Sequence, residues 1–343
     1  MPGRRGLCCA RVGELGIAAI PNEVFALTGL KIKARSPLLT TMNIELANGS
    51  EGYIPPLEQH VLGGYTTWPA RTAALEVQAE PKIVATVIGL LEMVAGRSRR
   101  ALVPGLLPYA EHVLASRPLA YWRLEEMESA TAHDATGREN HGQYGNGVAF
   151  FLSGADLPGL MTGKRINRAP HLAGGRLTVR IEIPAEAVSI EFWNGLPNDA
   201  RPVTGYLFGR ASNRQGGDYL GLNGSSGLGP PGCLFVSQGL GEKVLAGKSA
   251  ISPRTWHHVV LTRNGRHIVV YLDGNDRPEI TSDVAAGQGS RLATIYLGGR
   301  YDQEATFEGK IDDVAVYDRP LTPAEIVEHF RAAGEQFVHP DHW

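Results

Sequence analysis

Apolar residues recur along this chain in two rhythms, and the change between them divides it. From Leu119 onward, short apolar runs alternate with turn signals: Ala120–Leu124, Gly147–Leu152, Leu177–Ile183, Val188–Asn194, Tyr206–Arg210, Tyr219–Asn223, Cys233–Gln238, Ile295–Gly299 and Lys310–Asp318. About ten to fourteen such strands with no helix between them predict a sandwich or jelly roll. The stretch Trp256–Asp273 is the strongest local signal. Its apolar runs Val259-Val260-Leu261 and Ile268-Val269-Val270 flank Asn264-Gly265, a pair suited to the two positive φ values of a type I′ turn. Both alternation phases are apolar there, as expected of strands buried on two sides. Thr322, Pro323 and Glu325 then form a capping box with proline at the first helical position, and Ile326, Val327 and Phe330 share one face.

The first hundred residues have a different texture. Val12–Ile20 reads as a hairpin or strand. Glu23–Lys33 carries a helical period through Val24, Leu27 and Leu30, and Met42–Ala47 reads as a strand ended by Asn48-Gly49. Glu80-Pro81 opens a helix lined by Ile83, Val84, Val87, Leu90, Leu91 and Val94, with Gly96 as its stop. Strands and helices mixed at this density predict a small α/β segment over 1–100. Pro104-Gly105 and Pro108 mark a linker over 101–117 with one short helical turn near Glu111–Leu114. The β domain is expected over 118–335, followed by a tail over 336–343. The fold class is therefore mainly β, an antiparallel two-sheet sandwich preceded by a smaller α/β segment.

Charge and cysteine content narrow the chemistry. Lys+Arg 33 against Asp+Glu 35 leaves no basic footprint, so nucleic acid is not an expected partner. The basic group Arg97, Arg99 and Arg100 reads as solvated linker. Cys8-Cys9 and a distant Cys233 make neither a disulfide framework nor a metal-ligand spacing. The N-terminal stretch lacks the apolar run of a secretory signal. The longest apolar stretch, Ile83–Val94, contains Glu92 and is too short for a membrane span.

Two sets of motifs resemble known families. AYWRLEE, HDATGRENHGQY, VSIEFWN, TWHHVVLTRNGRHIVVYLDGN and the final IYLGG–KIDDVAVYD–LTPAEIVEHF run come in the order of a laminin G-like, concanavalin A-like jelly roll. That resemblance implies two face-to-face antiparallel sheets. It also implies binding of a glycan or protein ligand at the cell surface or outside the cell. A structural calcium is implied too, held by backbone carbonyls of an N-terminal loop and by an aspartate early in the last long strand. The matching residues are Asp134, near Gly137, and Asp312. Hard oxygen donors suit calcium. Without the resemblance, Asp134 reads as an Asx-turn and Asp312 or Asp313 as an edge-strand charge. Asp313, adjacent to Asp312, is expected on the opposite face.

AIPNEVFALTGLKIK and ELANGSEGYIPPLEQHVLGGYT, within about residues 10–95, resemble the C-terminal end of the catalytic domain of neutral/alkaline ceramidases. That resemblance puts a zinc-binding glutamate at Glu23 and a tyrosine at the same metal at Tyr53. The two histidines and the serine nucleophile of the family have no counterpart ahead of Glu23, so zinc binding is expected only if the remaining ligands are supplied. Read alone, Glu23 is a helix N-terminal carboxylate and Tyr53 a packing residue.

The sandwich lacks the carboxylate pair of a glycosidase. Glu191 has Ser189 and Trp193 two residues away on either side, and the acids of Lys310–Asp318 are adjacent rather than alternate. Adjacent strand positions face opposite ways, so His257 and His258 read as packing residues rather than joint metal ligands. The expected function is a non-catalytic binding module. The rival is a part of a zinc-dependent amidohydrolase whose catalytic half lies elsewhere. The loops Gly205–Gly217, Asn223–Gly232 and Tyr301–Phe307, with Tyr206, Tyr219 or Tyr301 as platforms, are candidates for ligand contact.

Overall fold

The computed structural model describes all residues except 1–5, 51, 72, 101–106, 127–129, 161–166, 184–186, 196–204, 212–216, 225–228, 239–243, 253–254, 284–291 and 335–343. The tail expected over 336–343 lies outside the described residues. Two compact units form, Met1–Gly105 with Met127–Ala130, and Leu106–Glu126 with Thr131–Trp343.

The N-terminal unit runs β1 (Cys8–Val12), β2 (Leu15–Ala19), β3 (Glu23–Val24), α1 (Ala26–Arg35), β4 (Thr40–Ile44), β5 (Tyr53–Ile54), α2 (Leu57–Leu62) and α3 (Ala79–Ala95). β1 and β2 form a hairpin, and β2 pairs in parallel with β4. Gly96 ends α3 in the left-handed region at φ 65, as its position predicts. Ala18, Ile20, Ile32, Val84, Val87, Ile88 and Leu91 make this unit's core. The α/β expectation over 1–100 holds, with the helix near Glu23 starting later because Glu23 and Val24 are used in a strand.

The second unit runs α4 (Pro108–Ala115), β6 (Ala120–Trp122), β7 (Thr131–Ala132), β8 (Gly142–Tyr144), β9 (Val148–Ser153), β10 (Arg168–Ala173), β11 (Leu177–Glu182) and β12 (Ala187–Gly195). It continues with β13 (Gly205–Ala211), β14 (Gly217–Leu222), β15 (Cys233–Gln238), β16 (Val244–Ala250), β17 (Trp256–Asn264) and β18 (His267–Leu272). β19 (Ile280–Asp283), β20 (Leu292–Leu297), β21 (Glu308–Tyr317) and α5 (Pro323–Ala332) complete it. Two eight-stranded sheets result. The first has the order β19-β18-β17-β12-β21-β10-β9 with β6 on β21, and the second β16-β15-β14-β13-β20-β11-β8-β7. Its strand pairings are antiparallel, so the mainly β, two-sheet sandwich read from the sequence is the observed architecture.

The linker expected over 101–117 ends early. Pro108–Ala115 is a full helix whose Tyr109, Ala110 and Val113 are buried with Ile326 and Phe330 of α5 against the first sheet. Proline at its first turn and three apolar residues on one face explain its formation and docking. The capping box at Thr322 and Glu325 is present.

The apolar double phase of β17 and β18 has a simple cause. Leu261 pairs with Val270 and Val260 with Tyr271, so the two sets face opposite ways. Val260 and Tyr271 join the cluster under α4 and α5. Arg263, in phase with Leu261, crosses to the second sheet instead. Its Nε donates to Asp218 Oδ2 at 2.8 Å, its Nη2 to Asp218 Oδ1, and its Nη1 to Gly265 O at 2.8 Å. The pair is almost wholly buried, at 1%/7% side-chain exposure.

The turn differs from expectation by one residue. Asn264 pairs with His267, so Gly265 and Arg266 are the central residues. Of the residues around the turn only Gly265 has positive φ, at 57, the sign pattern of type II′ rather than I′. Glycine is needed at the first central position of that turn.

Gly265→Ala should cost about 1–2 kcal/mol, from the left-handed backbone alone, because no atom lies within 4 Å of the added carbon. Asp218→Ala should cost more, about 3–5 kcal/mol, by leaving the Arg263 guanidinium buried and uncompensated. Urea denaturation of both variants checks the order. Equal losses would contradict the central role assigned to the pair.

Candidate functional site

Three groups of residues in the sandwich carry chemistry, and the structure assigns them different fates. The first surrounds Asp312 on β21. Between Glu191 and Trp193 on β12 there are two steps, but their partners Ala315 and Asp312 are three apart. The extra residue is a β-bulge, and Asp313 sits within it at φ 48. This corrects the expectation that Asp313 faces away from Asp312. Both are buried, and both act on Tyr121 and Arg123. The Tyr121 hydroxyl donates to Asp313 Oδ1, and Asp312 Oδ2 accepts from Asn167 Nδ2 at 2.6 Å. Arg123 lies 3.0 Å from Glu125. Three carboxylates thus share one guanidinium in a buried setting. Asp312 Oδ1 is buried and has no hydrogen-bond partner among the described residues. Burial, then Asp313, then Glu125 push the Asp312 carboxyl well above its usual range.

Asp134 has a different environment. Its Oδ1 accepts from Tyr121 N at 3.1 Å, Thr136 N at 3.0 Å and Thr136 Oγ1 at 2.8 Å, and its Oδ2 from Asn140 N at 3.1 Å. This is an Asx-turn that also clamps the first strand of the unit. Asp134 and Asp312 have no hydrogen-bonding partner in common among the described residues. Among the described residues, no three His, Cys, Asp or Glu side chains are grouped to hold a metal. Asp312 fits a hard cation by its orphaned oxygen and the surplus negative charge around it. Its other ligands would have to be backbone oxygens and water.

The second group lies on the face of the second sheet turned away from the first, where Tyr206, Tyr219 and Phe235 are themselves buried and Tyr301 is half-buried at their edge. Tyr206 pairs with Gly221 and Gly209 with Tyr219. Gly221 pairs with Phe235 and Tyr219 with Ser237. These residues therefore share a face, opposite to Asp218 and Leu220. The glycines provide clearance: a carbon on Gly209 would lie 2.9 Å from the Tyr219 ring, and one on Gly221 2.5 Å from the Phe235 ring. Tyr206 meets Tyr219 and Phe235 edge-on at 5.7 and 5.4 Å, and Tyr301 packs against the three.

The loop after β20 is fastened to this face. Tyr206 N donates to Ala305 O at 3.1 Å and Phe307 N to Gly298 O at 3.0 Å. Arg300 lies 4.8 Å over the Tyr206 ring and binds Asp302 in a fork, at 3.0 and 2.7 Å. Arg176, 4.7 Å over the Tyr296 ring, donates to Arg300 O. Burial raises the Tyr219 hydroxyl to about 12, so it stays a donor at neutral pH. Two buried polar side chains on the same face, Ser237 through its hydroxyl and Asn223 through both amide atoms, have no partner among the described residues. Such groups cost free energy unless something bonds them.

The third group is the histidine pair. His258 is buried beside Tyr109 and Phe330, while His257 bonds Thr255 and Asp273. Asp273 Oδ1 also accepts from His258 N at 2.9 Å. These are packing and turn contacts, and they bring no two imidazoles together.

Residues 174–327 match the family model of the concanavalin A-like lectin/glucanases superfamily. No curated protein matches the chain. Among solved structures, domain 4 of AbnA, a GH43 extracellular arabinanase from Geobacillus stearothermophilus in complex with arabinotriose, is 18% identical with a TM-score of 0.47. The alignment covers 62% of this chain and 97% of that one. Trypanosoma rangeli sialidase in complex with the inhibitor DANA is 15% identical at TM-score 0.47, over 62% of this chain and 32% of that one. The binding domain of Paraclostridial Mosquitocidal Protein 1 is 16% identical at TM-score 0.47, over 63% and 52%. The chain thus spans about a third of the sialidase and half of the mosquitocidal binding domain.

The concanavalin A-like match includes Asp312, Asp313 and the whole aromatic face, and leaves Asp134 and Glu125 outside. Tyr206, Tyr219 and Tyr301, alternative ligand platforms on the sequence alone, form one group in the fold. The sequence did not single out Ser237 and Asn223, whose only signal is a polar residue in phase with the aromatics of a neighbouring strand. The stretches 212–216 and 225–228 of the expected binding loops lie outside the described residues. Side-chain positions on β12, including Glu191, do as well.

In the N-terminal unit, Glu23 and Tyr53 are paired across two short parallel strands. The Tyr65 hydroxyl donates to that of Tyr53 at 3.2 Å, and this bond, with nearby Glu23, raises the Tyr53 hydroxyl to about 12. The two residues are neighbours, yet no third ligand joins them among the described residues. They do not fit a complete zinc site, which needs about four donors.

A raised carboxyl has a definite consequence. Its stabilising form is the protonated one, present below the unfolded carboxyl range and lost as pH rises through the folded value. With chelator present, Asp312→Asn should therefore raise the melting temperature at pH 7, by about 2–4 °C per kcal/mol for a unit of this size. It should also flatten the melting profile between acid and neutral pH. A lower melting temperature at pH 7 would overturn the reading of an uncompensated buried charge.

Proposed function

We propose that the sandwich is a non-catalytic glycan-binding module, with its ligand seated on the outward face of β13, β14 and β15. One observation carries this reading: a buried aromatic cluster with the half-buried Tyr301 at its edge, on the same face as an Asn223 amide and a Ser237 hydroxyl that have no hydrogen-bond partner among the described residues. Sugar rings present apolar faces to aromatic rings and hydroxyls that both donate and accept, which suits such a mixture. The match to a lectin/glucanases family model supports the binding class. Arg300, fixed by Asp302 and half-buried over the Tyr206 ring, provides a donor at the edge of the cluster. On this reading the protein works at the cell surface or outside the cell, where glycans are displayed.

Calcium belongs to the same proposal as a structural ion at Asp312. It would supply positive charge where three carboxylates face one guanidinium, and would hold β21 against its neighbours. The chain's own residues hold the surroundings in place, through Asn167 on Asp312 and Tyr121 on Asp313.

A second reading attaches to the N-terminal unit. The Glu23–Tyr53 pairing favours the resemblance to the end of a ceramidase-type domain. Any zinc there would need its other ligands from another polypeptide, and no reaction step is assigned to this chain.

Calorimetric titration with a panel of neutral and acidic oligosaccharides tests the glycan reading. At least one should bind saturably, and Tyr301→Ala should weaken it tenfold or more, about 1.4 kcal/mol, with melting unchanged. Failure of every oligosaccharide to bind would defeat it. Separately, added calcium should raise the melting temperature of the full chain, and Asp312→Ala should remove the rise. Identical melting in calcium and in chelator would refute the ion.

A further inference from the structure

Charge in the N-terminal unit is sorted between its two ends. Arg11, Lys33, Arg35, Arg97, Arg99 and Arg100 gather where α1 and α3 finish, beside the β1–β2 turn. Arg11 Nη1 donates to Ala95 O at 3.2 Å and its Nη2 to Glu14 Oε1 at 2.8 Å. Arg97 Nη2 donates to the other oxygen of Glu14, and Arg99 binds Glu92 in a fork at 3.0 and 2.7 Å. Arg100 crosses to α1, donating from N to Arg35 O at 2.9 Å, from Nε to Ser36 O at 2.7 Å and from Nη2 to Lys33 O. The basic group that reads as solvated linker is therefore laid across the ends of two helices. Glu23, Glu45, Glu76 and Glu80 belong to the opposite end, where α1 and α3 begin.

Two physical arguments identify the partner. The first is charge. Six cations meet two carboxylates here, a surplus of four positive charges. Their bonds to Arg97 and Arg99 hold Glu14 and Glu92 below the usual carboxyl range, Glu92 at about 2, so both stay ionised and the surplus stands at neutral pH. Helix C-termini attract cations, which accounts for Arg11 and Arg100 on the carbonyls of Ala95 and Lys33. Lys33, Arg97 and Arg99 stay exposed. The second argument is what stands beside the cations. Val12, Leu39 and Met93 are 64%, 55% and 76% exposed at the same end. Val12 follows Arg11 and pairs with Leu15, Leu15 pairs with Thr40 next to Leu39, and Met93 follows Glu92. A polymer of phosphates is held chiefly by cations, whereas an anionic lipid surface also takes apolar side chains below its headgroups.

We infer that this end of the N-terminal unit binds an anionic lipid surface, with the cations at the phosphate headgroups and Val12, Leu39 and Met93 entering between them. The inference is independent of the glycan reading, since it concerns the other unit and another class of ligand.

Co-sedimentation of the full chain with lipid vesicles tests this. Vesicles of equal parts phosphatidylglycerol and phosphatidylcholine should carry the protein down at low salt, and vesicles of phosphatidylcholine alone should not. Binding should fall at least tenfold in about 1 M salt, where the screening length shrinks to about 3 Å. Lys33→Glu combined with Arg99→Gln, at two exposed positions, removes three units of positive charge and should weaken binding at least tenfold, with the circular dichroism spectrum unchanged. Lys33→Gln with Arg97→Gln is a second such pair should the first misfold. Met93→Ser should weaken binding severalfold, and Lys82→Glu, in the first turn of α3 and paired with Glu76, should leave it unchanged. Equal binding to both kinds of vesicle, or to neither, would overturn the proposal. So would full binding by the charge variants or by Met93→Ser, or an equal loss with Lys82→Glu.

Discussion

The sandwich depends on one buried contact, the forked bond between Arg263 and Asp218. Two sheets packed only through aliphatic side chains can slide, because dispersion contacts are many, weak and undirected. A guanidinium bonded twice to a carboxylate in a dry interior tolerates little displacement. Arg263 also bonds the carbonyl of Gly265, so the same side chain fixes the register of the β17–β18 hairpin. The cost of burying it is met only while Asp218 is present. Loss of either partner therefore affects both sheets.

That contact also sets the outward face of the second sheet. Asp218 and Tyr219 are adjacent on β14 and point to opposite sides. Holding Asp218 against Arg263 therefore holds Tyr219 outward, over the space left by Gly209. The first sheet offers no comparable face in its β17–β21 region, because α4 and α5 cover it with Tyr109, Val113, Ile326 and Phe330. The two sheets thus differ in their outer cover, helices on the first and a buried aromatic cluster on the second.

The acidic group around Asp312 shows how a local irregularity changes chemistry. On a regular strand, Asp312 and Asp313 would face opposite ways and scarcely interact. The bulge brings both to Tyr121 and Arg123, and the crowding of buried carboxylates holds the Asp312 carboxyl well above its usual range. Asp134, equally acidic in the sequence, is consumed by its own turn. Two aspartates of the same type thus differ in environment because one is saturated by backbone donors and the other is not.

Sequence pattern alone determined the sandwich, the hairpin between Trp256 and Leu272, the capping box at Thr322 and the α/β character of the first hundred residues. Each of these rests on local spacing: period two in strands, period 3.6 in helices, glycine where a turn needs it, a hydroxyl and a carboxylate three residues apart. The one-residue error in the hairpin turn arose because Asn264 has two roles open to it, in a turn or in a strand pair, and only pairing with His267 selects between them. The helix at Pro108–Ala115 read as linker because its apolar face is short and gains its value from α5. Tertiary structure alone decided that Arg263 meets Asp218, that Tyr206, Tyr219, Phe235 and Tyr301 form one cluster, and that Asp313 turns inward with Asp312. Those pairings join residues far apart in the chain or hang on a bulge, and neither composition nor periodicity specifies which strand will lie beside which.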